Sequence, residues 1–149
     1  MFDILRNLFG LSPREDFWLE DASMEVGVLV VGQLKECDRE GARSWGVHSS
    51  LILGYICGAS GRLCADQSLG ILRESLLPGT VLAELTGAPF EVARDDLKRA
   101  QMQPADPGYL LGYQTGWVDW AVRRTKGHAD GLLLLLQGHG AGGSGKSAR

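Results

Sequence analysis

Two stretches of the chain share the pattern LGYxxG, namely Leu53-Gly54-Tyr55-Ile56-Cys57-Gly58 and Leu111-Gly112-Tyr113-Gln114-Thr115-Gly116, which lie 58 residues apart. In each stretch the two glycines are four residues apart and would share one side of a helix. Without side chains there, two helix backbones can approach closely, so we predict that these segments pack against each other. A six-residue match also arises by chance, and the flanks do not align into a solenoid period, so both interpretations stay open.

Both stretches lie within longer helical patterns. Apolar side chains at mixed three- and four-residue spacings predict a largely buried helix from Ser44 to Leu69, although its glycines weaken it. Asp106 followed by proline is a helix start, and the helix from Pro107 to Lys126 ends in basic residues before Gly127. We expect this second helix to be the central one.

The segment from Ala22 to Cys37 fits two templates. Met24, Val26, Val28 and Val30 alternate as in a strand, and β-branched valines favour that structure. A helical template explains more positions: Ala22, Val26, Leu29, Val30, Leu34 and Cys37. We predict a helix here, preceded by a helix start at Ser12-Pro13 whose boundary with this segment is uncertain.

Further elements complete the expected architecture. Leu76-Leu77-Pro78-Gly79 predicts a turn, after which Thr80 would cap a short helix ended by Gly87. Residues 89 to 102 form another helical pattern, and Asp130 precedes five leucines that fit a short helix or a buried strand. Together the patterns predict one all-α domain of six or seven helices over residues 1–137, followed by a flexible Gly/Ser-rich tail at 138–149.

The first ten residues form an amphipathic pattern of their own. Phe2, Leu5 and Phe9 would share one side of a short helix that Gly10 ends. We expect this stripe to cap the protein's own core, and the alternative is attachment to a membrane surface.

Residues 140–147 match the phosphate-loop pattern GxxxxGKS. A working loop of this kind needs a following helix whose N-terminus completes the anion site, and a downstream acidic strand for magnesium. Only two residues follow Ser147 here, and glycine and serine dominate any flexible linker. We therefore expect no nucleotide and no other cofactor at this tail.

Composition narrows the class of protein. The formal net charge is −3, so no overall positive potential favours nucleic acid as a partner. The hydrophobic fraction of 44% is close to the average for soluble globular proteins. There is no secretory signal pattern, and the longest apolar stretch, Leu51 to Ala59, is too short to cross a bilayer. We expect a soluble cytoplasmic protein with reduced cysteines and no membrane partner.

The candidate binding residues lie in the helix from Pro107. Asp119 stands between Trp117 and Trp120, with Tyr113 one turn earlier, and an acid beside aromatic faces can anchor a ligand or partner. In the alternative interpretation the three aromatic residues form a core stripe, and Asp119 faces water or pairs with Arg123.

Chemistry-bearing residues give no recognisable catalytic or metal motif. The cysteines lack the short paired spacing of zinc sites, so we predict no metal. We predict instead a small cytosolic protein-binding module, such as an adaptor, an inhibitor or an immunity-type factor. The alternative is a small enzyme that uses Cys57 or Cys64 with His128, or an aspartate near Trp117 to Asp119.

Overall fold

The computed structural model describes residues 13–38, 50–67, 71–102 and 106–137. These residues form six helices and no strand, which confirms the predicted all-α bundle. The helices are α1 (Pro13–Asp38), α2 (Ser50–Asp66), α3 (Ile71–Thr86), α4 (Phe90–Met102), α5 (Pro107–Lys126) and α6 (residues 131–137). The amphipathic segment 1–10, Ser12, residues 44–49 and the tail 138–149 with its GxxxxGKS match lie outside the described residues.

The backbones of α2 and α5 approach each other closely at four glycines. A Cβ atom added at any of four glycines would overlap a main-chain carbonyl of the other helix. Gly54 faces Tyr109, Gly58 faces Tyr113, Gly112 faces Leu51 and Gly116 faces Tyr55. The prediction that the two LGYxxG segments pack together is thus confirmed.

The same pairs give the direction and the symmetry of this packing. Higher residue numbers in α2 meet higher numbers in α5, so the two helices run parallel. Moving Gly54 by 58 positions gives Gly112, and moving Leu51 by 58 gives Tyr109. Each contact thus repeats the other with the roles of α2 and α5 interchanged. The repeated segments are therefore related by an approximate two-fold axis.

Both helix N-termini of this pair are tied to one carboxylate. Asp106 Oδ1 accepts hydrogen bonds from the amides of Gly108 at 2.9 Å and Tyr109 at 3.2 Å, as predicted for a helix cap. The same oxygen accepts from the Ser50 hydroxyl at 3.3 Å, at the start of α2. At the other end α5 stops at Gly127 with a φ of 82°, a left-handed conformation that favours glycine.

The core surrounds α2, whose residues 51–60 are all buried. α1 contributes one apolar side to this core, with Val26 and Val30 fully buried, so the helical interpretation of residues 22–37 is correct for the residues that the structure describes. In α6 Leu132 and Leu136 are buried whereas Leu134 is exposed. This four-residue period resolves the leucine run as a helix and not a strand.

The predicted turn at Leu76 to Gly79 is wrong, because α3 continues through it with Pro78 inside the helix. Proline removes one helical hydrogen bond and disfavours this position. Burial offsets that cost, since residues 76–83 are all buried in the core. Thr80 does not cap a new helix; its hydroxyl donates to the Leu76 carbonyl at 2.8 Å. The end at Gly87, with a φ of 73°, is as predicted.

We predict opposite effects for alanine at two helical glycines. Gly112→Ala should lower the free energy of unfolding by about 3 kcal/mol, because its methyl group would overlap the Leu51 carbonyl and force α2 and α5 apart. Gly32→Ala is the matched control and should raise it by about 1 kcal/mol, since its Cβ would meet nothing within 4 Å and alanine favours helices. Urea unfolding measures both, and equal stabilities would contradict the close approach.

Candidate functional site

A polar network lies in the interior between α1, α2 and α5. The Tyr55 hydroxyl donates to Asp119 Oδ2 at 2.6 Å and accepts from Gln33 Nε2 at 2.9 Å. All three side chains are buried, with Asp119 only 6% exposed. Gln33 Nε2 also donates to the Leu29 carbonyl at 3.1 Å, so the network is anchored to the backbone of α1.

The network also holds the start of α6. Asp119 Oδ2 accepts from the amide of Leu132 at 3.3 Å, and Gln33 Oε1 accepts from the amide of Leu133 at 2.9 Å. A helix of seven residues has little stability alone, and its first amides lack partners within the helix. Asp119 and Gln33 supply those partners, so the first turn of α6 is fixed to α5 and α1.

This geometry corrects the expectation that Asp119 faces water or pairs with Arg123. The carboxylate lies in the interior, and the Arg123 guanidinium lies over the Trp120 ring, 5.2 Å from its centroid. Burial, together with the hydrogen bond to Asp119, raises the pKa of Tyr55 far above its ordinary value. Tyr55 therefore remains a neutral donor to Asp119 throughout the physiological pH range.

The structure separates the four predicted binding residues. Trp120 is 3% exposed and lies with Asp119 in the interior. Tyr113 and Trp117 are half-buried on another side of α5, where their ring centroids are 6.3 Å apart. The Arg62 guanidinium lies 5.4 Å from the Trp117 ring centroid. Only Tyr113 and Trp117 of the predicted set thus present aromatic surface, and their role in binding stays a prediction.

The cysteines of the predicted thiol enzyme are placed in the core. Cys57 and Cys64 are both buried. Burial raises the pKa of the Cys57 thiol, and Gln101 Nε2 lies 3.7 Å from its sulfur. A protonated, enclosed thiol is a poor nucleophile. His128 lies elsewhere, in a depression of about 310 Å³ that Gln33 and Arg123 also line.

An apolar groove between α1 and α3, which sequence reasoning missed, forms a concave surface on the described part of the bundle. We call it the α1–α3 groove, and its volume is about 430 Å³. It is lined by Ser23, Met24, Gly27, Val28, Val31, Gly32 and Lys35 of α1, and by Val81, Glu84 and Leu85 of α3. Met24 and Val28 are 57% and 59% exposed, which is unusual for neighbouring large apolar side chains.

One signal in the sequence pointed to this groove. The alternating residues Met24, Val26, Val28 and Val30 made the segment resemble a strand, yet it is a helix. A helix shows that alternation only when it is apolar on more than one side. Val26 and Val30 face the core, whereas Met24 and Val28 face the groove. The segment fitted both templates because α1 has a second apolar face.

The two ends of the α1–α3 groove carry opposite charges. Glu84 lies at one end, where partial burial and the nearby charge of Glu20 raise the pKa of its carboxyl. Lys35 lies at the other end of the α1 lining. The groove therefore combines an apolar floor with an acidic end and a basic end.

No family model matches the chain, and neither the curated proteins nor the solved structures contain a significant match to it. Among residues 13–38, 50–67, 71–102 and 106–137, no helix has the length and apolar character that crossing a membrane requires. The same residues contain no cluster of three histidine, cysteine or acidic side chains placed to hold a metal ion.

The raised pKa of Tyr55 predicts how stability depends on alkaline pH. The unfolded chain loses the phenolic proton near its ordinary pKa of about 10, whereas the folded chain retains it. Stability should therefore fall as pH rises above about 10. Tyr55→Phe should weaken that fall and also cost about 1–3 kcal/mol at pH 8, because Asp119 loses a buried donor.

Urea unfolding at pH 8, 9, 10 and 11 measures this dependence. A residual fall is expected in Tyr55→Phe, since burial raises the pKa of Tyr109 as well. Asp119→Asn is the control for the cause: burial is the larger contribution at Tyr55, so most of the alkaline sensitivity should persist there. An unchanged pH profile in Tyr55→Phe would contradict the proposed environment of the phenol.

Proposed function

We propose that this protein is a small protein-binding module and that its α1–α3 groove receives an amphipathic helix of a protein partner. The observation that supports this is the exposed apolar pair Met24 and Val28 beside a concave apolar floor. Contiguous apolar surface of this kind is costly in water and is typical of interaction sites. Helix-in-groove binding uses such a surface, with apolar side chains of the ligand at helical spacing.

The shape of the groove suits a helical ligand. Its α1 lining extends from Ser23 to Lys35, which corresponds to about 18 Å along the helix axis. A ligand of about three helical turns would cover that length. Gly27 and Gly32 have no atom within 4 Å of an added Cβ, so a ligand backbone can approach α1 closely at both positions.

Charge sets an orientation for the ligand. A cation near Glu84 and an anion near Lys35 would each face an opposite charge at the rim of the groove. Charges at the rim mainly steer encounter and select the direction of binding, whereas the buried apolar contacts supply most of the affinity. We therefore propose a partner helix with an apolar stripe, a basic residue at one end and an acidic residue at the other.

Several features support this function over the alternative of a small enzyme. The Asp119 carboxylate is engaged by Tyr55 and the α6 backbone, and the Cys57 thiol is enclosed and protonated. Neither group is presented to a substrate. The cytosolic location and the role as adaptor, inhibitor or immunity-type factor belong to the same proposal. Tyr113 and Trp117 would serve as a second contact surface.

A matched pair of valine substitutions tests the groove. A photo-reactive amino acid at position 28 should first cross-link the partner in cells, so that the partner can be identified and purified. Calorimetry should then show that Val28→Asp weakens binding by about tenfold or more, because it places a charge on the apolar floor. Val118→Asp is the control, since Val118 on α5 is equally exposed at 56% and lies outside the groove.

The control should retain affinity within about twofold, as expected for a surface substitution away from the contact. Equal affinities of Val28→Asp and the unaltered chain would overturn the assignment of the groove. So would equal losses in both variants, because that result would reflect a general effect of added charge.

A further inference from the structure

The helix that lines most of the α1–α3 groove has itself the properties proposed for the partner helix. The side of α1 that lines the groove carries an apolar stripe of Met24, Val28 and Val31. Glu20 precedes this stripe and Lys35 follows it, and both are exposed. The distance from Glu20 to Lys35 along the helix axis is about 22 Å. In a second copy of the chain, α1 therefore offers an apolar stripe with an acidic residue at one end and a basic residue at the other.

An antiparallel pair of α1 helices would set this stripe against itself. If a two-fold axis passes between Gly27 and Val28, residues at equal distances from the axis lie level with each other, so Met24 lies level with Val31 of the second copy. Sliding one copy by a residue would instead set Met24 level with Val30, which is fully buried in its own core. The lining residues of α1 from Ser23 to Gly32 exchange as follows: Ser23 with Gly32, Met24 with Val31, and Gly27 with Val28.

The charges favour the antiparallel direction. Glu84 and Glu20 lie at one end of the groove, where burial and the charge of Glu20 raise the pKa of the Glu84 carboxyl. Antiparallel packing brings Lys35 of the second copy to this acidic end, and symmetry repeats the contact at the other end. Parallel packing would bring the acidic ends of two copies together, and like-charge repulsion disfavours that arrangement. Only the antiparallel direction therefore matches the charges at both ends.

Burial in such a pair accounts for the two exposed apolar side chains of the groove. Met24 and Val28 are 57% and 59% exposed. A Cβ added at Gly27 would meet no atom within 4 Å, so a second copy can approach α1 closely beside the axis. Met24 would pack on Val31 of the second copy, and the two Val28 side chains would meet near the axis. Removal of this apolar surface from water favours the pair.

We propose that the α1–α3 groove receives α1 of a second copy of this chain, in an antiparallel two-fold dimer whose axis passes between Gly27 and Val28. This inference rests on the proposed function, since it names the partner helix that the groove binds. Both copies use the same surface, so assembly stops at two. Two short helical faces bury little surface, so we expect a dissociation constant of about 1–100 µM.

Sedimentation equilibrium of the full chain tests the dimer. We expect a reversible change from monomer to dimer, and no larger species, between about 1 and 500 µM chain. Val28→Asp should weaken the association by about tenfold or more, because it places two like charges beside the axis. Val118→Asp is the matched control and should change the association by less than about twofold, since Val118 is equally exposed at 56% but lies on α5.

Disulfide trapping tests the register. Chains with Met24→Cys and chains with Val31→Cys, both carrying Cys37→Ser, are mixed and mildly oxidised; Cys57 and Cys64 are buried. Position 24 of one copy faces position 31 of the other, so the mixture should give a linked heterodimer. Position 24 lies about 10 Å along the axis from position 24 of the second copy, beyond disulfide reach, so either variant alone should give at least about fivefold less product. Efficient linking of Met24→Cys chains to each other would indicate a parallel pair and contradict the proposal.

A charge exchange between copies tests how the ends pair. Lys35→Glu and Glu20→Lys should each weaken self-association severalfold at about 50 mM salt, where screening is modest. An equimolar mixture of the two should associate more tightly than either alone, because Glu20→Lys of one copy then meets Lys35→Glu of the other. Lys98→Glu mixed with Glu91→Lys is the matched control, since both residues are exposed on α4, and mixing should change nothing. A mixture no tighter than its components would refute the pairing of Lys35 with Glu20.

Two outcomes of sedimentation would overturn the dimer. One is a chain that stays monomeric up to about 500 µM. The other is a dimer that Val28→Asp leaves intact, because the copies would then meet elsewhere. If Val28→Asp also loses helical content by circular dichroism, the disulfide pattern decides, since it does not use that variant. A monomeric chain would leave the proposed function standing or falling on its own test, the effect of Val28→Asp on affinity for a different protein.

Discussion

The close approach of the α2 and α5 backbones at four glycines is the constraint on which the rest of the structure depends. Gly54 and Gly112 each face a carbonyl of the other helix, so the two helices pack in parallel in a register that matches the 58-residue spacing. That register places the Tyr55 hydroxyl one turn beyond the Gly116 contact, within 2.6 Å of Asp119. A slip by one turn would leave a buried carboxylate without its donor, at a cost of several kcal/mol.

The polar network forms because α2 and α5 pack in this register, and it fixes the position of α6. Asp119 and Gln33 come from different helices, yet each accepts a hydrogen bond from the first turn of α6. A satisfied network of this kind specifies one arrangement, because any other leaves buried donors and acceptors unpaired. The leucines of α6 supply burial but no unique direction, since five consecutive leucines look alike from every side. The polar groups of the network therefore determine how α6 is oriented, whereas its buried leucines supply the stabilising apolar contacts.

A structural feature was predictable from the sequence when its cause lies in neighbouring residues or leaves a regular spacing. Asp106 and Gly127 act on neighbouring amides, so the bounds of α5 were predictable. The paired glycines predicted a long-range contact because their four-residue spacing places both on one side of a helix, where the missing side chains leave room for another helix. Pro78 led to the wrong prediction of a turn. The free-energy cost of a proline inside α3 is outweighed by burial against residues distant in sequence. The partners of Asp119 lie 64 and 13 residues away, and nothing near Asp119 in the chain indicates them.

The α1–α3 groove explains why the sequence of residues 22–37 fitted both a helical and a strand template. A helix with one apolar face gives an unambiguous period, and a strand gives an unambiguous alternation. α1 satisfies both because its core side and its groove side are both apolar, and the core uses only one of them. Folding stability explains Val26 and Val30, since they are fully buried, but it does not explain Met24 and Val28. The exposed pair Met24 and Val28 beside a concave apolar floor is therefore the observation on which the proposed binding function of α1 rests.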